Sequence, residues 1–475
     1  MSIIPPNDSP PGSKHPDRPP KMIRVARRIG TKLFPPRMHA GGRSLSSSHQ
    51  MDLPPWLRCI SEDTSPAPKL FAWSSRNLDQ HEPRENQAGE SPIKKDFEKR
   101  IHIVGIGNIG ILLATALAQL PNRPPITLVV HKRELLEQWH RQPGLQITRN
   151  KCTDFVVDFD VEWWTDEEPV SGPKRQIADG ATIGNLLVST KASVALLEVD
   201  RVRRYLNSSS TVAFVQNGMC KLWQPYGKRY MALRHPTGNH PNWLACVTTH
   251  GVTSLGRFRS EHVAVADMKI GPVHLSQHSK THSYLPETLC RAPFVHGEGV
   301  TSEELWILQL EKLVVNAIIN PLTAILGCKN GKLFETPDGP LMHVVESLIQ
   351  EASEVLQALI QHPMTDAILA DPDRRHDLLN RFSAHHLRLM LLNIGHKVKD
   401  NTSSMLQDYR AGKGTEIQDF NGWLVDTAAF LDVKASTTRH EALVQLVESG
   451  ARMDEVSLIS YLQRAAEAGT VTASL

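Results

Sequence analysis

Nowhere in the 475 residues do two cysteines stand as C-x-x-C. The six that occur (Cys59, Cys152, Cys220, Cys246, Cys290 and Cys328) are scattered, which argues against a zinc ribbon and suits a reducing compartment. An excess of charge of one sign is missing too. The formal net charge of +3 is too small for this length to imply nucleic acid or an anionic membrane as a partner. No uninterrupted apolar run approaches the ~18–20 residues of a membrane span. Apolar periodicity is nearly absent before residue 100, and strand patterns are absent after Ser302. What remains, with 40% hydrophobic and 22% charged residues, is the make-up of a soluble protein with about two to four domains.

Residues 1–99 hold 15 of the 32 prolines. Such a stretch cannot bury enough apolar surface to offset its ordering entropy, and a mostly disordered extension is expected. Within it, residues 22–50 carry six basic residues (Arg24, Arg27, Arg28, Lys32, Arg37, Arg43) and no acidic one. On a helical wheel Ile23, Ala26, Ile29 and Leu33 share one side, and Arg24, Arg27, Arg28 and Lys32 the other. That is the composition of a mitochondrial transit peptide. The proline-rich leader before it, with Asp8 and Asp17, fits an extension with no address. The expected location is mitochondrial or cytoplasmic.

The most informative stretch runs from Arg100 to Gly110. An apolar run (Ile101, Ile103, Val104) meets Gly105, Gly107 and Gly110 in G-x-G-x-x-G spacing, and an apolar helical pattern follows from Ile111 to Leu120. A strand that turns at glycines into a helix is the cradle of a dinucleotide pyrophosphate. The helix N-terminus adds backbone N–H groups and a positive dipole end. Gly105, Gly107, Asn108, Ile109 and Gly110 are therefore candidate cofactor contacts. Ile126–Val130 completes β-α-β. Its end reads His131-Lys132-Arg133 with no acid until Glu134, which suits the 2′-phosphate of NADPH rather than the bare ribose of NADH. Lys132 and Arg133 are the named candidates.

Further strand patterns follow at Leu145–Thr148, Phe155–Trp164, Leu186–Ala192, Thr211–Met219 and Leu244–His250, with a helical pattern at Ser193–Leu206. This alternation predicts a mostly parallel sheet with ligands at the carboxyl ends of its strands, where Lys191 and Asn217 lie. Residues 274–300 contain His274, His278 and His282 at a spacing of four. Metal ligands on one helical face would show that spacing, but Gly271, Pro272, Ser276 and Ser279 predict a polar loop, and no metal is expected. Segments 302–328, 340–362, 375–398, 416–431 and 439–467 read as helices. The expected chain is thus α/β: a Rossmann-type domain over 100–300, then an all-α domain over 301–475, with a cleft between them.

In the helical half, Lys312, Asn316 and Asn320 fall at i, i+4, i+8 and share one helix face among apolar neighbours. Burying such groups is costly unless something polar faces them. A further segment reads Ser403-Ser404-Met-Leu-Gln-Asp408-Tyr-Arg410, then Thr415-Glu416-Ile417. Ser403 or Ser404 could cap a helix at Met405, and Asp408 and Arg410 could form a surface ion pair.

Five motifs in this order, G-I-G-N-I-G, S-T-K-A, Q-N-G-M, K-L-V-V-N-A-I-I-N-P-L-T-A and S-S-M-L-Q-D-Y-R…T-E-I, resemble the 2-dehydropantoate 2-reductases, or ketopantoate reductases. The resemblance covers about Arg100 to Glu467. It implies NADPH-dependent reduction of 2-dehydropantoate to (R)-pantoate, a step of pantothenate and coenzyme A synthesis. It further implies Lys312 as the catalytic lysine and Asn316, Asn320, Ser404 and Glu416 as substrate contacts. Lys191 and Asn217 would lie near the nicotinamide and ribose. The partner is then a small 2-oxo acid, and the protein a monomer or homodimer. There are departures: Cys220 replaces a glycine, 274–300 and 365–400 are long, and the first hundred residues have no counterpart in compact members. Two other readings compete: a reductase for another 2-oxo acid, and a catalytically lapsed interaction or RNA-associated mitochondrial factor. The lapsed factor would have lost the constellation, and here all five residues are present.

Overall fold

The computed structural model describes residues 55–78, 98–219, 221–276, 283–433 and 437–473, in two units, 1–65 and 66–475. In the first, the described residues include one helix, Pro55–Glu62. The basic segment 22–50, Cys220, His278 and His282 lie outside the described residues. All that follows concerns the second unit.

Its strands in chain order are β1 (Phe71–Trp73), β2 (Ile101–Val104), β3 (Ile126–Val130), β4 (Leu145–Arg149), β5 (Cys152–Val156), β6 (Asp160–Thr165), β7 (Asn185–Val188), β8 (Thr211–Phe214), β9 (Asn242–Thr248), β10 (Gly251–Gly256), β11 (Arg259–Ala264), β12 (Met268–His274) and β13 (Gly297–Gly299). Nine of them form one sheet in the order β1-β6-β3-β2-β7-β8-β9-β12-β13. From β6 through β9 all neighbours are parallel. The core strands β2, β7 and β8 are buried at every position, which explains why they read as apolar runs rather than alternations. The strand order reverses between β2 and β7, the place where doubly wound sheets bind ligands. A second sheet, β10-β11-β4-β5, packs on the helix Asn108–Ala118.

Several expectations need correction. The strand expected over Phe155–Trp164 is two strands in different sheets, broken where Phe159 N bonds Val157 O at 2.9 Å. The polar loop expected over 274–300 contains a helix, Tyr284–Arg291, which buries Leu285 and Leu289 one turn apart, and then β13. Residues 66–78 belong to the folded unit although disorder is expected through residue 99. There β1 pairs antiparallel with β6, Phe71 against Thr165 and Trp73 against Trp163. Three consecutive buried apolar residues are enough for an edge strand and too few to show a period.

After Ser302 every described element is helical. The first helix, Ser302–Leu326, starts at a Thr301–Glu304 capping box and stops at Gly327, whose φ of +67° makes a left-handed cap. Length and composition alone would let it cross a membrane, yet 72% of its most apolar window is buried; it is the core of the helical domain. Pro321 lies inside it. Having no N–H, Pro321 leaves the carbonyl of Ala317, four residues back, without its helical donor. Asn421 supplies one from another segment: its Nδ2 donates to Ala317 O at 2.8 Å.

The expected helix 375–398 divides into Pro372–Arg381 and Ala384–Lys397, and 439–467 into Thr438–Glu448 and Glu455–Ala473. Ser383 caps one restart, and Gly450 with φ +72° makes the other break. The segment 416–431 opens with a π-helical turn, Gln418–Gly422.

Candidate active site

At the end of β2 the chain turns through Gly105 with φ +94°. A Cβ there would stand 2.8 Å from Thr190 N, and one on Gly110 would stand 2.1 Å from Gly105 O. Close approach of the turn, the helix and the end of β7 thus requires both glycines, and Ser189 Oγ donates to Gly105 O at 2.6 Å. Gly107 differs. Nothing lies within 4 Å of where its Cβ would be. It is the N-cap of Asn108–Ala118, and no side chain caps that helix. Open space before uncapped backbone N–H groups suits a pyrophosphate, so these residues fit a dinucleotide. The Asn108 side chain is turned elsewhere, donating to Val252 O at 3.1 Å and accepting from Ser260 Oγ at 3.0 Å. Asn108 and Ile109 are thus placed to offer backbone N–H groups.

Beyond β3, Lys132 precedes the helix Arg133–Arg141. Arg133 Nε donates to Glu137 Oε1 at 3.0 Å, and its guanidinium lies over the Trp73 ring at 5.3 Å. Arg257, on the turn between β10 and β11, donates from Nη1 to Gln138 at 3.2 Å, beside Phe258 packed edge-on to Trp139. Loss of water around the His131 ring, then the charges of Lys132 and Arg257, lower its pKa. The cations are gathered in one place.

Between the sheet and the helical domain, Lys191 at the end of β7 pairs with Asp408 of the helix Ser404–Arg410. Arg410 is not the partner of Asp408; its Nη2 donates to Gly327 O at 3.1 Å. Asn217, after β8, donates to Glu416 Oε2 at 3.5 Å, while Glu416 Oε1 accepts from Ala192 N at 3.5 Å. A Cβ on Gly218 would stand 2.9 Å from Asp419 O, so the π turn packs directly on this corner. Burial raises the Asp419 carboxyl to about 6, with Lys221 opposing. Gln309 ties the long helix to the same corner: it accepts from Trp223 Nε1 at 2.7 Å and donates to Gly218 O at 3.3 Å.

One turn past Gln309, Lys312 Nζ donates to Thr248 O at the end of β9. Next in the row, Asn316 has its Nδ2 buried with no hydrogen-bond partner among the described residues. Asn320, 6% exposed, donates to Asn316 Oδ1 at 3.5 Å. Of the two serines, Ser403 is the cap, accepting from Leu406 N at 3.2 Å and bonded to the Thr323 hydroxyl at 2.7 Å. Ser404 is exposed at the first position of its helix. An unmatched buried amide costs ~1–3 kcal/mol, and an oxygen of a bound ligand would match it. An ammonium in line with amide N–H groups suits an oxygen that gains negative charge.

Two family models match this chain: "Ketopantoate reductase PanE/ApbA" over residues 101–274 and its C-terminal counterpart over 305–450. The chain belongs to the ketopantoate reductase family. Among its relatives, ketoisovalerate reductase BEA2 of Gibberella fujikuroi is 41% identical, covering 85% of this chain and 98% of that protein. The ketoisovalerate reductase of Beauveria bassiana is 39% identical over 86% and 98%. The probable 2-dehydropantoate 2-reductase of Schizosaccharomyces pombe is 28% identical over 69% and 90%. The fold is shared with D-mandelate dehydrogenase in its complex with NADH and anilino(oxo)acetate, at a TM-score of 0.52, 17% identity, and coverage of 76% of this chain and 99% of that one.

Several residues that tie these elements together in this family member carry no signal in the sequence: Gln309, Arg257, Asn421 and a pair of buried histidines. His250 and His262 link through Nε2 of His262 and Nδ1 of His250 at 3.1 Å, and His250 Nε2 meets Val295 O at 2.9 Å. Arg149 Nε donates to His262 Nδ1 at 3.4 Å, so both rings are neutral, each with its proton on Nε2. His274, at the end of β12, faces Leu222 O at 2.8 Å. No cluster of His, Cys, Asp or Glu among the described residues could hold a metal.

Burial, then His250 and Arg149, pull His262 down to about 4, and burial pulls His440 to about 4. Unfolded, both would titrate near 6.5. The unfolded chain therefore binds more protons between these values. The histidines' contribution is complete above pH 6.5 and is lost as pH falls toward 4. Asp419 and Glu351, raised to about 6 and about 7, act oppositely, but burial also pulls His102 to about 3 and His235 to about 4, and with these two the loss outweighs the gain. Lowering pH from 7 to 5 is expected to reduce the thermal midpoint, and His262→Asn to recover about 2–4 °C of that difference. An unchanged pH slope in His262→Asn would show that His262 does not titrate as argued.

Proposed function

We propose that this chain reduces the ketone of a branched 2-oxo acid to the 2-hydroxy acid with NADPH, and that 2-ketoisovalerate is preferred to 2-dehydropantoate. One observation carries the chemistry: Lys312, Asn316 and Asn320 share a face of a core helix, with an Asn316 amide N–H buried and unmatched. When bound, NADPH supplies the hydride to the carbonyl carbon. Lys312 stabilises the charge that develops on the ketone oxygen and gives that oxygen its proton. Asn316 and Asn320 hold the substrate with neutral donors, which do not compete for the proton, and Ser404 donates to the carboxylate. Support for NADPH over NADH comes from Lys132, Arg133 and Arg257 around the end of β3, where an NAD enzyme wants an acid.

Two features support the choice of substrate. The relatives at 41% and 39% identity, matched over nearly their whole length, are ketoisovalerate reductases by name. In addition, Glu416, which would receive the 4-hydroxyl of 2-dehydropantoate, already accepts from Ala192 N and Asn217. An acid without that hydroxyl leaves no carboxylate unmatched. The test is kcat/KM for both acids, in wild type and Glu416→Gln. Wild type is expected to favour 2-ketoisovalerate. Glu416→Gln is expected to reduce turnover of 2-dehydropantoate about tenfold more than that of 2-ketoisovalerate, the effect of one charge-assisted hydrogen bond. Equal or better turnover of 2-dehydropantoate by wild type would overturn the substrate choice.

A further inference from the structure

Arg133 is a long side chain, 47% exposed, and would sample many rotamers unless held. Two contacts hold it. Its Nε is bonded to Glu137 one turn along the helix, and its guanidinium rests on Trp73 at 5.3 Å. Trp73 is itself fixed: it is 3% exposed, its Nε1 donates to Glu167 O at 2.7 Å, and its ring packs on Trp163 at 5.4 Å. Neither Nη of Arg133 has a hydrogen-bond partner among the described residues. The indole therefore holds the guanidinium, and its two Nη groups are left to pair with an anion bound at the end of β3. Trp73 belongs to β1, which lies outside the parallel core and precedes the glycine turn.

We infer that β1 is a cofactor-specificity element: Trp73 holds the Arg133 guanidinium ready for the ribose 2′-phosphate and so sets the preference for NADPH over NADH. The inference rests on the reading of the end of β3 as the phosphate site. A cation held over an aromatic face is pre-organised, and less ordering cost is left for the binding step. Trp73 is a positioning residue and needs no contact with the cofactor.

The test is the equilibrium Kd of NADPH and of NADH for the full chain, read from nicotinamide fluorescence, with thermal midpoints on the same samples. Trp73→Leu is expected to weaken NADPH about three- to tenfold, the order of a cation–π contact, and to leave NADH within about twofold. Trp73→Phe, which keeps a ring face, is expected to retain most of the NADPH affinity. Trp73→Met, flexible enough to refill the edge, replaces the leucine variant if that one does not fold. Equal weakening of both cofactors, or of neither, would make Trp73 a packing residue only and end the inference. Arg133→Ala separates the two levels. If it leaves the NADPH-to-NADH ratio unchanged, the phosphate-site reading fails, and the role of Trp73 with it. If it abolishes the preference while Trp73→Leu keeps it, only the role of Trp73 fails.

Discussion

Lys312→Ala is expected to fold, to bind the dinucleotide normally, and to lose ~10²–10⁴-fold in kcat, the usual contribution of a general acid. The lysine is anchored rather than loose: Nζ donates to Thr248 O at the end of β9. That bond crosses from the helical domain to the sheet and holds the ammonium at the cleft. Charge accumulates on the ketone oxygen only as the hydride arrives, so the lysine matters most in the transition state. Its loss should appear in kcat and kcat/KM together, with KM little changed. Asn316→Ala and Asn320→Ala should act chiefly through KM, since neutral amides hold substrate and transition state about equally. A structural lysine would give another pattern, with a lowered thermal midpoint and normal turnover in the fraction that stays folded. Near-normal kcat in a well-folded Lys312→Ala protein would remove the proposed role.

Gly107→Val is expected to leave the fold intact and to weaken dinucleotide binding about a hundredfold, the equivalent of two charge-assisted hydrogen bonds. The three glycines of the turn look alike in sequence but do different things. A Cβ on Gly105 or Gly110 collides with backbone, so substitution there disrupts the turn itself. A Cβ on Gly107 meets nothing within 4 Å, and the φ of −87° is ordinary for any residue. The side chain would instead fill the space before the helix N-terminus, where the pyrophosphate is proposed to sit. Apo thermal midpoint and cofactor Kd, measured on Gly107→Val and Gly110→Val, separate the cases. Gly110→Val should melt early; Gly107→Val should melt like wild type and bind poorly. Wild-type affinity in Gly107→Val would place the pyrophosphate elsewhere.

The sequence was most legible where a short period or a required residue type acts locally. The glycine spacing, the apolar runs of β2, β3, β7 and β8, and the row Lys312–Asn316–Asn320 depend on residues a few positions apart. Partners far apart in sequence were not legible. Asp408 sits two residues from Arg410 yet pairs with Lys191, because the helix Ser404–Arg410 presents it across the cleft. Strand β1 is stabilised by β6 rather than by a pattern of its own. Arg257 reaches the end of β3 only because the second sheet packs over the first helix of the fold. The serine pair is open in sequence and is resolved by burial: Ser403 turns inward to Thr323 and caps, leaving Ser404 exposed at the first position of its helix.

The bond between Asn421 and the carbonyl freed by Pro321 bears on how the cleft can open. Acceptor and donor lie on the helix that carries Lys312, Asn316 and Asn320 and on the turn just past Glu416. Sliding one past the other would strand a buried carbonyl and a buried amide together, at a cost of a few kcal/mol. These two segments therefore move as one rigid body. Opening is left to the seam between that body and the sheet, crossed by Lys191–Asp408, Asn217–Glu416, Gln309–Gly218 and Lys312–Thr248. All four are polar contacts that water can replace. A hinge motion that admits substrate would break these polar contacts and also part Leu305 from Gly271 of β12, with Asn421 keeping the long helix and the turn past Glu416 in register.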